Sequence, residues 1–279
     1  MKGTVVAVKK IIRFEIKRGM NSLGMEVAFL GACIYMIIQN IYPAIYAKIL
    51  TSGEYARKLG ENIYTSGWYP ASGDLQGVYY YFYFYGIIVA LPFGISYCMD
   101  KRSGFVKNIC NRIPKGKYLL AKYISVFVTG GIVSALPITL DFLVMRLIEP
   151  YDTIDLTAYK CALNSITKWG SFIIDHMYIS ALLICCVWFV FGGAFATLSL
   201  LVSSFTDNLF FVQLFPFFVM MFIYYMPQIN TYINSGWIPM TFLRVSSDGS
   251  PLHGIIVSFV IAAISFTIFY FRERKRDIL

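Results

Sequence analysis

The sequence predicts an all-α polytopic membrane protein with six transmembrane helices and both termini in the cytoplasm. Its mean hydropathy is +0.64, and 58% of the residues are hydrophobic while only 14% are charged. A soluble domain of 279 residues could not bury that much apolar surface. The apolar residues also gather into six windows, each near the length of about 20 residues that a helix needs to cross a bilayer. Residues 1–279 are predicted to form a single transmembrane domain.

Residues 1–22 precede the first window and are predicted to form an amphipathic helix in the plane of the membrane. At about 100° per residue, the apolar and basic side chains of this stretch fall on opposite arcs. The apolar arc holds Val5, Val8, Ile11, Ile12 and Ile16, and the basic arc holds Lys9, Lys10, Arg13 and Lys17. Val6 and Glu15 break the pattern. Such a helix would attract anionic lipid and help to fix the topology, or it would contact a cytoplasmic partner.

The six predicted spans lie near residues 23–42, 78–98, 119–138, 177–202, 209–226 and 254–271. Pro92 and Pro137 are expected to kink the second and third spans. Gly192 and Gly193 thin the fourth span, which favours the close approach of another helix.

Two connections between the predicted spans have distinct character. Residues 203–208 form a tight turn, in which Thr206 or Asp207 is expected to cap the fifth helix. Residues 227–253 are apolar but are broken by glycine and proline, which is typical of short re-entrant pieces.

Lysine and arginine residues fix the predicted orientation. Of the 24 such residues, six precede the first span, seven lie in or next to the loop after the second span and four follow the last span. The other seven fall in loops on the opposite side. Because basic loops stay in the cytoplasm, this distribution predicts that both termini are cytoplasmic. The basic residues follow the membrane spans, so the net charge of +9 does not indicate a nucleic-acid partner.

The basic loop at residues 99–118 carries a second pattern. Phe105, Ile109 and Ile113 recur every four residues, which predicts a helix of about two and a half turns with one apolar face. Gly104 precedes this helix and Pro114 ends it. The apolar face needs a surface to pack against, which is either lipid or another protein.

Two carboxylates lie close to the predicted spans. Glu26 falls about one turn inside the first span, where a charge without a partner is costly. We therefore expect a structural ion pair between Glu26 and Lys17, Arg18 or a residue of the basic loop. Asp141 lies 22 residues beyond Leu119, about 33 Å along a helix, and is expected to reach the outer headgroups.

Aromatic residues crowd the outer end of the second span, where residues 79–85 read YYYFYFY. An aromatic belt at the membrane interface explains such a run. Seven helical residues point all round the axis, however, so some of these side chains must face other helices. Tyr79, Tyr83 and Phe84 are therefore candidates for lining a substrate pathway, which would suit a bulky apolar or amphipathic cargo.

Several kinds of chemistry are missing from the sequence. There is no G-x-x-x-x-G-K-[ST] phosphate loop, so any ATP-driven work requires a partner chain. H-E-x-x-H and G-x-S-x-G motifs are also absent, and the two histidines, His176 and His253, are 77 residues apart. The sequence thus predicts neither catalytic residues nor metal ligands nor a cofactor of its own.

Taken in order, these features resemble an ABC-2 type permease, the membrane subunit of a bacterial ABC exporter. The layout is similar over nearly the whole chain. Residues 100–104 (DKRSG) resemble the acidic-x-x-x-Gly start of the family's coupling loop, and residues 117–122 (KYLLAK) resemble its Tyr-Leu-x-x-Lys start of the third span. Residues 203–208 resemble its short cytoplasmic turn. Where the family often has Glu, this chain has Asp100.

The resemblance implies a transport subunit of the bacterial plasma (inner) membrane. A coupling helix in residues 100–117 would fit a groove on a separate ATPase, and two permeases, identical or different, would pair with two ATPases. ATP and Mg would act only through that partner. The coupling interface would comprise Asp100, Arg102, Gly104, Phe105, Lys107, Ile109, Arg112 and Ile113. Export of a peptide, a lipid or an amphipathic drug is implied by the resemblance and by no single residue.

Two other classes of function compete with this interpretation. A secondary transporter or channel driven by an ion gradient would carry ionisable groups near the middle of the bilayer, where this sequence is almost wholly apolar. An integral membrane enzyme acting on lipid would need a cluster of His, Asp or Arg, and Asp175 with His176 is a small basis for one.

Overall fold

The computed structural model describes residues 2–50, 68, 70, 75–148, 168–229, 235–244 and 250–276. Within these ranges every regular element is a helix, which confirms the predicted all-α class. The helices are α1 (Lys2–Met20), α2 (Leu23–Met36), α3 (Tyr42–Leu50), α4 (Leu75–Ala90), α5 (Ser96–Arg102), α6 (Phe105–Cys110), α7 (Lys115–Ile148), α8 (Lys168–Asp175), α9 (Met177–Ser203), α10 (Leu209–Ile229), α11 (Pro239–Phe242) and α12 (Pro251–Lys275). A π-helical turn (Ile37–Ile41) joins α2 to α3, and a 3₁₀ turn (Ser235–Trp237) precedes α11.

Four helical stretches in the described part of the chain are long and apolar enough to cross a membrane. They are Leu23–Tyr46, Lys115–Ile148, Met177–Ser203 and Pro251–Lys275. These stretches coincide with the predicted first, third, fourth and sixth spans. The apolar parts of the other two predicted spans are shorter, Tyr81–Ala90 in α4 and Leu209–Tyr225 in α10. The fold is therefore that of an integral membrane protein with four long candidate spans.

The second predicted span, at 78–98, is not one continuous helix. α4 ends at Ala90, and α5 begins at Ser96 after a turn of five residues. Pro92 lies in this turn, and proline lacks the amide hydrogen that a continuing helix would use. The Pro92 carbonyl accepts a hydrogen bond from Ser22 Oγ at 2.7 Å. Ser22, which lies in the connection between α1 and α2, therefore stabilises the interruption between α4 and α5.

α1 confirms the helix that the sequence predicts within residues 1–22. Its buried edge is formed by Ile11, Glu15 and Gly19, which are spaced four residues apart, and α1 packs against α7. The basic arc of α1 is exposed as predicted, at Lys9, Lys10, Arg13 and Lys17. The side chains of Val5 and Val8 lie outside the described residues. Glu15, an exception in the sequence pattern, is thus part of the packing edge.

α7 and α9 meet at the centre of the fold through glycine contacts. A Cβ added at Gly193 would lie 2.5 Å from the Phe127 carbonyl oxygen, and one added at Gly192 would lie 2.3 Å from Ser134 Cβ. Both distances are too short for real atoms. The prediction that these glycines thin α9 for a neighbouring helix is therefore confirmed. Such close packing matters in a membrane, where lipid is as apolar as the helix surfaces.

Buried hydroxyl groups connect α7, α9 and α12. Tyr123 Oη donates to the Ala262 carbonyl oxygen at 2.7 Å and lies 2.9 Å from Ser265 Oγ. Thr197 Oγ1 lies 2.7 Å from the same Ser265 hydroxyl. Because a buried hydroxyl is costly without a partner, these bonds favour one relative position of the three helices.

Asp141 lies buried inside the helix bundle, and its expected position at the level of the outer headgroups stays a prediction. α7 continues to Ile148, seven residues or about 10 Å past Asp141. The Asp141 side chain is buried, and its Oδ2 accepts a hydrogen bond from Asn40 Nδ2 at 2.8 Å. Asn40 belongs to the π-helical turn, a rare element that often occurs at functional sites.

The described part of the predicted re-entrant segment packs within the protein. Phe242 and Leu243 are buried, and Trp188 Nε1 of α9 donates to the Leu243 carbonyl oxygen at 2.9 Å. α11 begins at Pro239, a favourable first helical residue because proline has no amide hydrogen to satisfy. Protein cover of this kind is what non-helical backbone requires at membrane depth.

We expect Gly193→Ala to lower the free energy of unfolding by about 1–3 kcal/mol, because its methyl group overlaps the Phe127 carbonyl. Gly31→Ala is the matched control, since no atom lies within 4 Å of an added Cβ at that helical position. Alanine there should be neutral or raise stability by up to about 1 kcal/mol through its helix propensity. Thermal unfolding of the purified chain in detergent measures both changes. Equal stability of the two variants would contradict the tight contact between α7 and α9.

Candidate functional site

The predicted basic loop folds as a compact elbow, residues 96–114, between α4 and α7. α5 ends at Arg102, and Gly104 then adopts a φ of +72° before α6. This left-handed conformation favours glycine, which has no Cβ. Pro114 precedes α7, and its carbonyl oxygen accepts a hydrogen bond from Lys117 N at 2.9 Å. Gly104 therefore precedes α6 as the sequence predicted, whereas Pro114 marks the start of α7 and not the end of α6.

α6 is shorter than predicted. It contains six residues, and the chain leaves the α-helix after Cys110. The amides of Arg112 and Ile113 both donate to the Ile109 carbonyl oxygen at 3.0 Å, which closes the helix with a turn. The expected two and a half turns are therefore reduced to fewer than two.

The apolar face of α6 is turned mainly towards this chain. Phe105 and Ile109 are partly buried and pack against the core, while Val106 is the buried residue of the helix. The Phe105 ring centroid lies 6.4 Å from that of Tyr118 and 5.2 Å from Arg18 Cζ. Much of the face that the sequence assigned to a partner is therefore already packed.

Polar side chains form the exposed side of the elbow. The basic surface of the elbow consists of Lys107, Asn108, Asn111 and Arg112, all of which are exposed. Arg102 is also exposed, and its Nη2 donates to the Asp207 carbonyl oxygen. Among the eight predicted interface residues, Arg102, Lys107 and Arg112 are thus the accessible charged ones.

Asp100, predicted at the partner interface, lies instead in a buried ion cluster. This Asp100 cluster consists of Glu15, Arg18, Asp100 and Lys122. Lys122 Nζ lies 2.6 Å from Asp100 Oδ2 and 2.8 Å from Glu15 Oε2, and Arg18 Nη2 lies 2.6 Å from Asp100 Oδ1. The Glu15, Asp100 and Lys122 side chains are fully buried, while that of Arg18 is 37% exposed. Two acids balance two bases, so the cluster is neutral.

Aromatic groups complete the Asp100 cluster. Tyr118 Oη donates to Asp100 Oδ2 at 2.6 Å, and the Phe93 ring centroid lies 4.3 Å from Lys122 Nζ, a cation–π distance. Burial acts to raise the pKa of Asp100. The attraction of Lys122 and the hydrogen bonds from Arg18, Lys122 and Tyr118 outweigh it and hold this pKa below its ordinary value. Asp100 is therefore ionised at neutral pH.

Lys101 belongs to a second ion cluster on another side of α5. This Lys101 cluster consists of Tyr97, Lys101, Asp207 and Glu273. Lys101 Nζ lies 2.5 Å from Asp207 Oδ1 and 3.9 Å from Glu273 Oε1, and the buried Glu273 accepts a hydrogen bond from Tyr97 Oη at 2.7 Å. Successive helical residues point about 100° apart. α5 is thus tied through Asp100 to α1 and α7, and through Lys101 to α12 and the turn before α10.

The turn at residues 203–208 has the tight form that the sequence predicted, but a different cap. Asn208 Oδ1 accepts a hydrogen bond from Phe210 N at 3.1 Å, which makes Asn208 the residue that caps α10. Thr206 Oγ1 accepts from Asn208 N at 3.2 Å. Asp207 does not cap the helix because its carboxylate is engaged by Lys101.

The predicted pathway residues separate along α4. The Tyr83 ring centroid lies 5.1 Å from that of Tyr224 on α10, while Phe84 is exposed. The side chain of Tyr79 lies outside the described residues. The buried aromatic residues of α4, which pack around Trp188 of α9, are Tyr81, Phe82 and Tyr85. Three of the five described side chains at residues 81–85 therefore pack helices together, while Tyr83 is partly buried and Phe84 is exposed.

Glu26 does not form the expected ion pair within the described part of the chain. Its side chain is exposed on α2, and Arg18, one of its expected partners, pairs with Asp100 and lies 3.8 Å from Glu15. The reason is geometric, since Arg18 lies beside α5 and α7. The buried carboxylate that the sequence assigned to Glu26 is found at Glu15.

Sequence reasoning missed Glu15, Lys122 and Glu273 as members of the charged clusters. Two signals were available. Glu15 is spaced four residues from Ile11 and from Gly19, and Lys122 lies three residues inside the predicted third span. A lysine inside an apolar span calls for a carboxylate partner. Among the described residues, no group of three or more His, Cys, Asp or Glu could hold a metal ion.

Comparison with models of protein families, with curated proteins and with solved structures finds no match to this chain. The elbow, its two ion clusters and the layout of the sequence are therefore the features of this chain that indicate a function.

We expect Lys122→Met to lower the free energy of unfolding by about 3–5 kcal/mol, because it leaves Glu15 and Asp100 buried without their shared cation. Lys10→Met, the same substitution at an exposed site on α1, should change it by less than about 0.5 kcal/mol. Thermal unfolding in detergent compares the two. Glu15→Gln in the Lys122→Met background should then cost little, and additive losses would argue against a shared cluster.

Proposed function

We propose that this chain is the transmembrane subunit of an ATP-driven exporter of the ABC-2 type, working with a separate ATPase and a second permease chain. The observation that carries the proposal is the structure of the elbow. Its helix α6 carries an exposed basic surface, and its helix α5 is held by the two ion clusters to α1, α7 and α12. An isolated lipid-facing loop would not need that anchorage. The ATPase would bind ATP and Mg, and this chain would supply the pathway for a peptide, lipid or amphipathic drug.

The proposed topology has six spans, formed by α2 with α3, by α4, and by α7, α9, α10 and α12. The distribution of lysine and arginine supports cytoplasmic termini and a cytoplasmic elbow, in the bacterial inner membrane. In this arrangement the shorter apolar parts of α4 and α10 cross the bilayer beside the four long candidate spans. α1 and the elbow then lie on the same side of the membrane.

The ion clusters suggest how movement of the elbow would reach the spans. The ATPase would contact the basic surface of the elbow, and Phe105, Ile109 and Ile113 would add apolar contact at its edge. α5 would move with α6, since only Ser103 and Gly104 separate them. Asp100 would draw α7 through Lys122, and Lys101 would draw α12 through Glu273. Separating any of these buried charges is costly, so the helices would move together.

One observation favours a second candidate function. Asp141 is buried within α7 and bonded to Asn40, and a buried carboxylate inside a membrane span is typical of ion-coupled transport. A secondary transporter would use such a group to bind a proton or a cation. The two ion clusters of the elbow have no evident part in that mechanism, so we rank it second.

Charge reversal on the elbow tests the proposed ATPase contact. We expect Lys107→Glu with Arg112→Glu to weaken co-purification with a candidate ATPase encoded beside this chain by about tenfold or more, because rim charges govern association. Lys10→Glu with Arg13→Glu changes the net charge equally at exposed sites on α1 and should leave it unchanged. The proposal fails if no ATPase co-purifies with the unaltered chain, or if both variants behave alike.

Proteoliposomes that contain only this chain separate the two candidate functions. The exporter proposal predicts no proton movement down an imposed gradient, with or without Asp141→Asn. A pH-sensitive dye inside the vesicles measures it. Proton uptake that Asp141→Asn abolishes and Asp141→Glu retains would instead favour the gradient-driven transporter.

A further inference from the structure

An open groove lies between the first turns of α7 and the last turns of α12. Its volume is about 680 Å³, which is within the range of small-molecule sites. The side chains that give the groove its character are Lys115, Lys117, Leu120, Phe266, Tyr270 and Arg274. None of them belongs to the two ion clusters of the elbow.

The groove is divided into a basic end and an apolar end. Arg274 and Lys117 lie at the basic end, while Phe266 precedes Arg274 by eight residues, about 12 Å along α12. The rings of Phe266 and Tyr270 are stacked with centroids 5.3 Å apart, and Leu120 faces the same groove from α7. The apolar end therefore reaches into the predicted third and sixth spans.

The two helices approach closely beside the groove. A Cβ added at Gly116 would lie 2.8 Å from Tyr270 Oη, so the tyrosine lies directly against the start of α7. Tyr270 therefore lies in the groove between its basic end and its apolar end.

Lys117 and Arg274 give the basic end of the groove its positive charge. Within the described ranges, neither Lys117 nor Arg274 forms an ion pair with a carboxylate, although Arg274 Cζ lies 5.8 Å from the Tyr270 ring centroid. Lys115 Nζ donates to the Arg276 carbonyl oxygen at 2.7 Å. An occupant with negative charge at one end would complement this arrangement.

We propose that this groove binds an anionic phospholipid, with the phosphate at Lys117 and Arg274 and an acyl chain along Leu120, Phe266 and Tyr270. A phospholipid has the same division of charge and apolar surface over the same length, and basic pockets between membrane helices favour such headgroups. A soluble phosphate compound would leave the apolar end uncovered. The assignment to the cytoplasmic leaflet rests on the topology of the proposed function.

Native mass spectrometry of the purified chain in detergent, equilibrated with equal amounts of phosphatidylglycerol and phosphatidylcholine, tests the site. We expect the unaltered chain to retain the anionic lipid preferentially by about thirtyfold, the equivalent of two basic side chains at an anionic surface. Lys117→Gln with Arg274→Gln should abolish this preference. Lys275→Gln, which removes one positive charge from an exposed position of α12 outside the groove, should retain it.

Absence of a preference in the unaltered chain would overturn the proposal, as would an equal loss in Arg274→Gln and Lys275→Gln. Displacement of the lipid by excess glycerol 3-phosphate would assign the site to a soluble phosphate and overturn it too. If Lys117→Gln with Arg274→Gln does not fold, Arg274→Gln alone, at an exposed position, should still weaken the preference. No ATPase is present in this experiment, so failure of the lipid site and failure of the proposed function are distinguishable.

Discussion

The buried ion pair between Asp100 and Lys122 is the contact on which this end of the bundle depends. Removing either charge from water is costly, and the cost is offset only when an opposite charge and hydrogen bonds lie close by. Glu15 and Arg18 bring the cluster to neutrality, and Tyr118 adds a hydrogen bond. α1, α5 and α7 are therefore held together by a requirement that apolar packing alone would not impose.

α5 is the helix that the two ion clusters hold from different sides. It has seven residues, and two consecutive side chains tie it to different neighbours, Asp100 to α7 and Lys101 to α12. A helix of two turns held on both sides behaves as one rigid piece. The chain enters α5 through the turn around Pro92 and leaves it through Gly104, whose φ of +72° sets the direction of α6. A force on the elbow would accordingly move α5 with its neighbours and would not bend it.

The sequence predicts the helices well but their pairing poorly, for a physical reason. Apolar runs and glycine or proline positions are local signals, so the helix bounds and the tight contact at Gly192 and Gly193 follow from them. Glu15 and Lys122 lie 107 residues apart, and no local period encodes their meeting. Asn40 and Asp141, which lie 101 residues apart, likewise meet without a local signal in the sequence. A buried carboxylate is thus recognised only when its partner is known.

The ion clusters also decide which charges remain available at this end of the molecule. Glu15, Asp100, Asp207 and Glu273 are each engaged by a base inside the protein. Within the described ranges, no ion pair with a carboxylate is formed by Lys107 and Arg112 of the elbow surface or by Lys117 and Arg274 of the groove. Any occupant of either surface must carry negative charge to gain from it. Because one surface lies on the elbow and the other lies between α7 and α12, a protein partner and a lipid need not compete.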